Sequence, residues 1–513
     1  MAPRKGNDGL VTRSGVTVPP GHALDRVSKP KSARSASKPK RARGRPFKIP
    51  VRSDSSNFRP ALMKGPSAAM SMASAPPSAP RRLSMLEALP VEVIEQIFLH
   101  SLNLNLPRAS PALAAAVSRE HIYNLLILLA CFDDHPEWPR SVTIERIFAP
   151  LEYTPLEPKA RARLQEAVFR SRWCTMERVC EQIPTIQNLT IHRHWFNAGI
   201  TMEPEQQAAL ERFMNREDDT VRMFNGQGPP MRSIGPLPEA ERRRMARMPG
   251  PHQYELHVTP MRMIQLFSPT LKVQSTFPAI GLTHFPDRLV RGRSTGFTPG
   301  DVAYLEMLRM CSKNYSCPGI PSLTVTTVNR TNLHEGVSRA IKSQNYNALV
   351  SLLKIDEFIF RFHESKSGPV FYTIPQDHFL AVTRFGREKP HLNCAFFDAL
   401  IRASAESIPP NASEIMAWTL DNVRLGQRHP SKYNEINGKF ARWLSNFMLR
   451  LPEQIEFVGE DPTAQLFNCG KLDLLDMEGC RFLDEVLEPF QGPYENYMGK
   501  SSFNTEDYWV KKK

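Results

Sequence analysis

The chain divides at residue 82. The first 82 residues hold 18 Lys and Arg against 3 Asp and Glu, a net +15, with 12 prolines and only two aromatic side chains, Phe47 and Phe58. Like charges repel and proline removes backbone donors, so this stretch has too little apolar surface to offset the entropy of ordering it. It is expected to be a disordered basic arm. The remaining residues carry a net charge of −1. Any inference from basicity to an acidic partner therefore runs through the arm alone.

At 41% hydrophobic and 9% aromatic over 513 residues, the chain can bury cores, and at about 150 residues per domain it makes two to four units. The start, MAPRKGNDGL, lacks the apolar stretch of a secretory signal. The longest apolar run, residues 125–132, falls far short of the roughly 20 residues that span a bilayer, so no membrane partner is expected. Eight cysteines with no C-x-x-C pair point to reduced thiols in a cytosolic or nuclear compartment. Cys174/Cys180 and Cys311/Cys317 share a C-x5-C spacing, but structural zinc sites use about two to four intervening residues, so no metal is expected there.

Composition places order from residue 83. Residues 83–131 set aliphatic side chains at helical spacing, and 132–203 continue as helix. Residues 204–252, rich in Gly, Pro and charge, read as a linker or long loop, and 253–330 as a mixed, irregular region. Residues 331–490 alternate helix and break before a polar tail, 491–513. Strand character is confined to 254–258 and 322–328. Apolar residues three and four apart predict helices at 164–182, 337–353, 379–382, 396–406, 413–421, 440–451 and 482–487. The expected fold class is mainly α.

Residues 83–131 are the most informative. Pro90 suits a helix's first turn, and Ile94, Ile97, Phe98 and Leu102 then share one face. Ser110-Pro111 predicts a cap and first turn for a second helix, and Ser118 a cap for a third. Three short helices bury too little on their own and need a partner or a following domain. The run Leu89-Pro90-Val91-Glu92-Val93-Ile94-Glu95-Gln96-Ile97-Phe98 resembles the opening of the F-box, L-P-x-E-(I/L/V)-(I/L)-x-x-I-(F/L), and Val117-Ser118-Arg119 stands where that family commonly has V-S-(R/K). The middle departs: Asn105-Leu106-Pro107-Arg108-Ala109-Ser110-Pro111 replaces the usual acidic D-L pair, in a form similar to a filamentous-fungal type, and no tryptophan follows Arg119. The resemblance implies docking on the Skp-type adaptor of a cullin-based ubiquitin ligase through an exposed apolar edge of Leu89, Pro90, Ile94, Ile97 and Phe98. The rest of the chain would bind a protein substrate.

The arm holds six basic residues in KPKRARGRPFK, among them Lys38, Lys40, Arg41, Arg43 and Arg45, a density that suits acidic import receptors and predicts a nuclear address; the alternative is the cytoplasm. Inside it, Arg43-Gly44-Arg45-Pro46 resembles the AT-hook. Glycine lets the backbone reach the floor of an A·T minor groove while the arginines extend along it. Ala42 stands where that family usually has proline, and there is one copy.

Leu164, Ala167, Ser171, Met176 and Val179 sit at offsets matched by Val337, Ala340, Gln344, Leu349 and Leu352, and these resemble the helix-turn-helix of ankyrin repeats. The family's glycine is replaced by Ser171 or Gln344, and the remaining segments do not recur at its period of about 33 residues. An irregular ankyrin-like α-solenoid and a non-repeating helical domain both fit.

Catalytic motifs do not assemble. Met498-Gly499-Lys500-Ser501 lacks the earlier glycine of a phosphate loop, Gly226-Gln227-Gly228 lacks the third glycine of a dinucleotide fingerprint, and His192/His194 has no nearby carboxylate or thiol to complete a metal set. No catalytic residue and no cofactor is expected. Two functions stand: a ligase substrate adaptor that carries out no bond chemistry, and a nuclear DNA- or chromatin-associated protein on a helical scaffold.

Overall fold

The computed structural model describes residues 84–136, 138, 140–229, 243, 250–269, 273–312, 326–360, 373–385, 390–404, 407–429, 431–460 and 506–509. They are mainly helical, with one small antiparallel sheet. The first four helices are α1 (Val91–Ser101), α2 (Leu106–Ala109), α3 (Pro111–Val117) and α4 (Glu120–Cys131). α4 is apolar all round, with Ile122 and residues 125–131 buried, so it forms a central post. Against it pack α6 (Pro158–Arg170) and α7 (Met176–Ile191), while α5 (Val142–Phe148) lies on the π turn His192–Phe196 that ends α7.

The stretch expected as a linker contains α8 (Pro204–Met214) and the first strand of a meander: β1 (Met223–Gly228), β2 (His252–Thr259), β3 (Met263–Ser268) and β4 (Val273–Pro278), in that spatial order and antiparallel throughout. The region expected to be irregular, 253–330, therefore supplies three of these strands. The pairing Phe224↔Leu256, Leu256↔Leu266, Leu266↔Ser275 turns one face of alternate residues inward. Glycine hid β1 in the sequence. Gly226 faces the core, and a Cβ there would lie 2.6 Å from the side chains of Trp195 and Ile200. The expected strand at 322–328 reduces, among the described residues, to a bridge between His284 and Thr327.

Two buried glutamines join sheet and helices. Gln165 Nε2 donates to the carbonyls of Ala130 and Gly281, both at 2.9 Å, and its Oε1 accepts from Thr283 N at 2.8 Å. Gln187 accepts from Met261 N at 3.0 Å and donates to Thr259 O at 3.1 Å. A buried amide with its partners met fixes one packing, because leaving a buried amide unpaired costs about 1–3 kcal/mol.

Eight further helices form four pairs: α9 (Asp287–Arg291) with α10 (Pro299–Ser312), α11 (Arg330–Lys342) with α12 (Tyr346–Phe360), α13 (Asp377–Thr383) with α14 (Pro390–Ser404), and α15 (Ser413–Arg428) with α16 (Lys432–Glu460). Each pair packs on itself, each odd helix on the next odd one, and each even helix on the next even one, so the pairs stack in two layers. The segment expected as a helix at 337–353 is thus a helix, a turn and a second helix. Gln344 closes that turn in the left-handed region, φ 53°. The segment at 164–182 also breaks, at Ser171–Thr175, but α6 and α7 both pack on α4. Gly336 sets the approach of α11 to α9, since a Cβ there would lie 1.9 Å from the carbonyl oxygen of Val290.

The expected polar tail ends in a short helix, α17 (Glu506–Trp509), whose Trp509 is buried. The helix expected at 482–487 lies outside the described residues.

Candidate protein-docking site

The entry to α1 is built by a reciprocal cap. Ser84 N donates to Glu87 Oε2 at 2.6 Å, and Glu87 N donates to Ser84 Oγ at 3.3 Å, a capping box in S-x-x-E that fixes the turn before the helix. Pro90 is the N-cap, and its carbonyl accepts from Val93 N and Ile94 N. α1 then has two apolar edges. Ile94 and Phe98 are 3% and 2% exposed and join Leu99 in the core. Leu89 and Ile97, each 38% exposed, Val93 at 36%, and Met85 at 92% face outward, with Pro90 exposed among them.

This corrects the expected edge. Leu89, Pro90 and Ile97 belong to it, but Ile94 and Phe98 anchor the helix instead. At 100° per residue, Ile94 and Phe98 point to α3 while Val93 and Ile97 lead away from it. Of the nine large apolar side chains left exposed among the described residues, four lie in 85–97, so the exposure is concentrated rather than scattered.

Polar contacts hold α1 against the start of α4. Glu95 is buried and meets Arg119 Nη1 at 3.2 Å and His121 Nε2 at 3.5 Å. Val117 is in the core, so two positions of Val117-Ser118-Arg119 serve to fasten α1 and α3 to α4. Ser110 caps α3, accepting from Leu113 N at 3.2 Å, as expected. Ser118 does not cap α4; its hydroxyl turns back to Ala114 O and Arg119 takes the N-cap position. Tyr123 stacks on Trp173 at 4.5 Å, and Arg178 lies over the Tyr123 ring at 5.0 Å. Between α1 and α3, Asn103 Oδ1 accepts from Asn105 N at 3.1 Å and Asn105 Oδ1 accepts from Arg108 at 3.2 Å, so this polar stretch is internally bonded.

The other candidates are packing elements. Cys131, Cys174, Cys180, Cys311 and Cys394 are free and buried. Burial pushes the Cys174 thiol up to about 11 and Cys180 to about 12, which keeps both protonated and unreactive. Cys317 lies outside the described residues. His194 stacks on Phe277 at 3.9 Å and meets Trp138 edge-on at 4.9 Å, and burial drives its pKa down to about 3. Beside it, Arg193 pairs with buried Asp134, which also accepts from Tyr153 at 2.7 Å. His334 and His378 sit 5.6 Å apart between α11 and α13, each held down to about 4 by burial. No group of three metal-ligating side chains converges among the described residues. No helix among them is long and apolar enough to cross a membrane. Lys38, Lys40, Arg41, Arg43, Gly44, Arg45 and Pro46, and the stretch Met498-Gly499-Lys500-Ser501, lie outside the described residues.

No family model, no curated protein and no solved structure matches the chain.

Proposed function

We propose that this chain is an F-box-like substrate adaptor of a cullin-based ubiquitin ligase. Residues 84–131 grip a Skp-type adaptor, the stacked helix pairs grip a protein target, and the chain itself performs no bond chemistry. The observation that carries this reading is the two-edged first helix: Ile94, Phe98 and Leu99 fix it to the core while Leu89, Pro90, Val93 and Ile97 stay in solvent. Exposed aliphatics on a rigid helix are what a partner's apolar groove takes up. The four stacked pairs fit a short α-solenoid, whose extended face suits a protein target. Their first helices begin at residues 287, 330, 377 and 413, so the plan is ankyrin-like in its hairpins and not in its period. The basic cluster Lys38, Lys40, Arg41, Arg43 and Arg45 supports nuclear import.

Co-purification of the full chain with a Skp-type adaptor tests the reading. Stoichiometric binding is expected, and it is lost in Leu89→Asp/Ile97→Asp with an unchanged circular-dichroism melt. A well-folded wild-type chain that does not bind contradicts it. The sequence Arg43-Gly44-Arg45-Pro46 favours a second reading, contact with A·T-rich DNA, which predicts that Arg45→Ala abolishes binding to an A·T duplex and leaves adaptor binding intact.

A further inference from the structure

The turn that leads into α1 carries an exposed serine. Ser84 N donates to Glu87 Oε2 at 2.6 Å, and Ser84 Oγ accepts from Glu87 N at 3.3 Å. The backbone of the same turn is closed by Ala88 N, which donates to Ser84 O at 3.1 Å, and by Leu89 N, which donates to Leu86 O at 3.3 Å. Met85, 92% exposed, follows Ser84 directly, and Leu89 ends the turn with its side chain also in solvent. Ser84 therefore stands at the N-terminal end of the outer apolar edge, next to the most exposed side chain of that edge.

In the sequence, Ser84 follows Arg81-Arg82-Leu83. Arginines two and three residues before a serine suit a protein kinase whose substrate groove is acidic, because guanidinium groups pair with carboxylates in a bidentate way. Two neighbouring serines serve the fold instead. Ser110 Oγ caps α3, and Ser118 Oγ donates to Ala114 O.

We propose that Ser84 is a phosphorylation site that switches off the docking edge of α1, a regulation that rests on the docking reading above. In the transfer, Ser84 Oγ bonds to the γ-phosphorus of ATP, the bond from that phosphorus to the β–γ bridging oxygen breaks, ADP leaves, and the hydroxyl proton passes to the kinase's base. The phosphoserine carries about −1.5 to −2 charge at neutral pH. It shares its turn with the Glu87 carboxylate, and the two like charges repel, which opens the bond from Ser84 N to Glu87. A dianion beside Met85 and Leu89 must also lose water when an apolar groove closes over them, and an unpaired charge is costly to desolvate. α1 itself stays in place, because Ile94, Phe98 and Leu99 hold it from the core side.

The test treats the full chain with Mg-ATP and a serine kinase that reads paired arginines, maps the phosphate by mass spectrometry, and measures affinity for a Skp-type adaptor before and after. Ser84→Ala, treated in the same way, separates Ser84 from the serines of the arm. Phosphate on Ser84 is expected, with binding at least about tenfold weaker in the treated wild type, binding by treated Ser84→Ala within about twofold of the untreated wild type, and matching circular-dichroism melts. A treated wild type without phosphate on Ser84, a chain phosphorylated there that binds as tightly as before, or an equal loss in treated Ser84→Ala overturns the proposal. An untreated wild type that does not bind contradicts the docking reading, and the switch falls with it. An untreated wild type that binds leaves that reading standing whatever the phosphate does.

Discussion

α1 and α12 are both apolar on more than one side, yet they end differently. α12 lies between α10, α11 and α14, and Leu349, Leu352, Leu353 and Ile355 are all buried. α1 packs chiefly on α3, and Val93 and Ile97 remain in solvent. The difference is one of neighbours rather than of residue type. Among the described residues the outer edge of α1 has no apolar neighbour, whereas α12 is enclosed by the helices of the stack.

The largest effect should come from the buried edge of α1. Phe98→Ala is expected to cost about 3–5 kcal/mol in denaturant unfolding, from lost transfer free energy and the cavity left behind. Ile97→Asp, one position away on the outer edge, should change stability by no more than about 0.5 kcal/mol. Equal losses at the two positions would erase the distinction between the edges. Within the stack, Gly336→Ala should cost about 1–3 kcal/mol, because α9 and α11 must separate to admit a Cβ now only 1.9 Å from Val290 O.

The stack should also respond to acid. His334 and His378 are held neutral by burial with folded pKa values of about 4, against 6.5 for the free side chain. The unfolded chain therefore binds more protons between those values, and stability falls as pH drops from 6.5 to 4, by up to about 1.4 kcal/mol per pH unit for each imidazole. The positive charge of Arg330 adds to burial at His334, while Asp377 opposes it at His378. Unfolding midpoints of His378→Gln measured across this window should decline less steeply than those of the wild type. The smallest effect is at Gln344, where φ is 53°. Gln344→Gly relieves that conformation but gains freedom in the unfolded chain, so a net stabilisation of about 0.5 kcal/mol is expected in a thermal melt.

The helical class, the existence of α1, α3 and α4 and the Ser110 cap are legible in the sequence because apolar spacing and caps are local. Which edge of α1 is buried is not, since Ile94 and Ile97 carry the same side chain and only the position of α3 tells them apart. α8 and β1 escape such reading because prolines, charges and glycines normally mark loops. Gly226 and Gly228 are in a strand because Trp195 and Ile200 fill the space a side chain would need, and that contact joins distant parts of the chain. Trp509 looks like tail for the same reason: its partners, Phe213 and Arg216, are almost 300 residues earlier. The Ser84–Glu87 capping box is a missed feature with a local signal, S-x-x-E ahead of an apolar run.

The most direct measurement is hydrogen–deuterium exchange of the full chain with and without a Skp-type adaptor. Docking through the outer edge predicts added protection across residues 84–101, with the stacked pairs unchanged and no added protection in Ile97→Asp. Protection confined to residues 287–460, or none at all at saturating adaptor, would contradict the account.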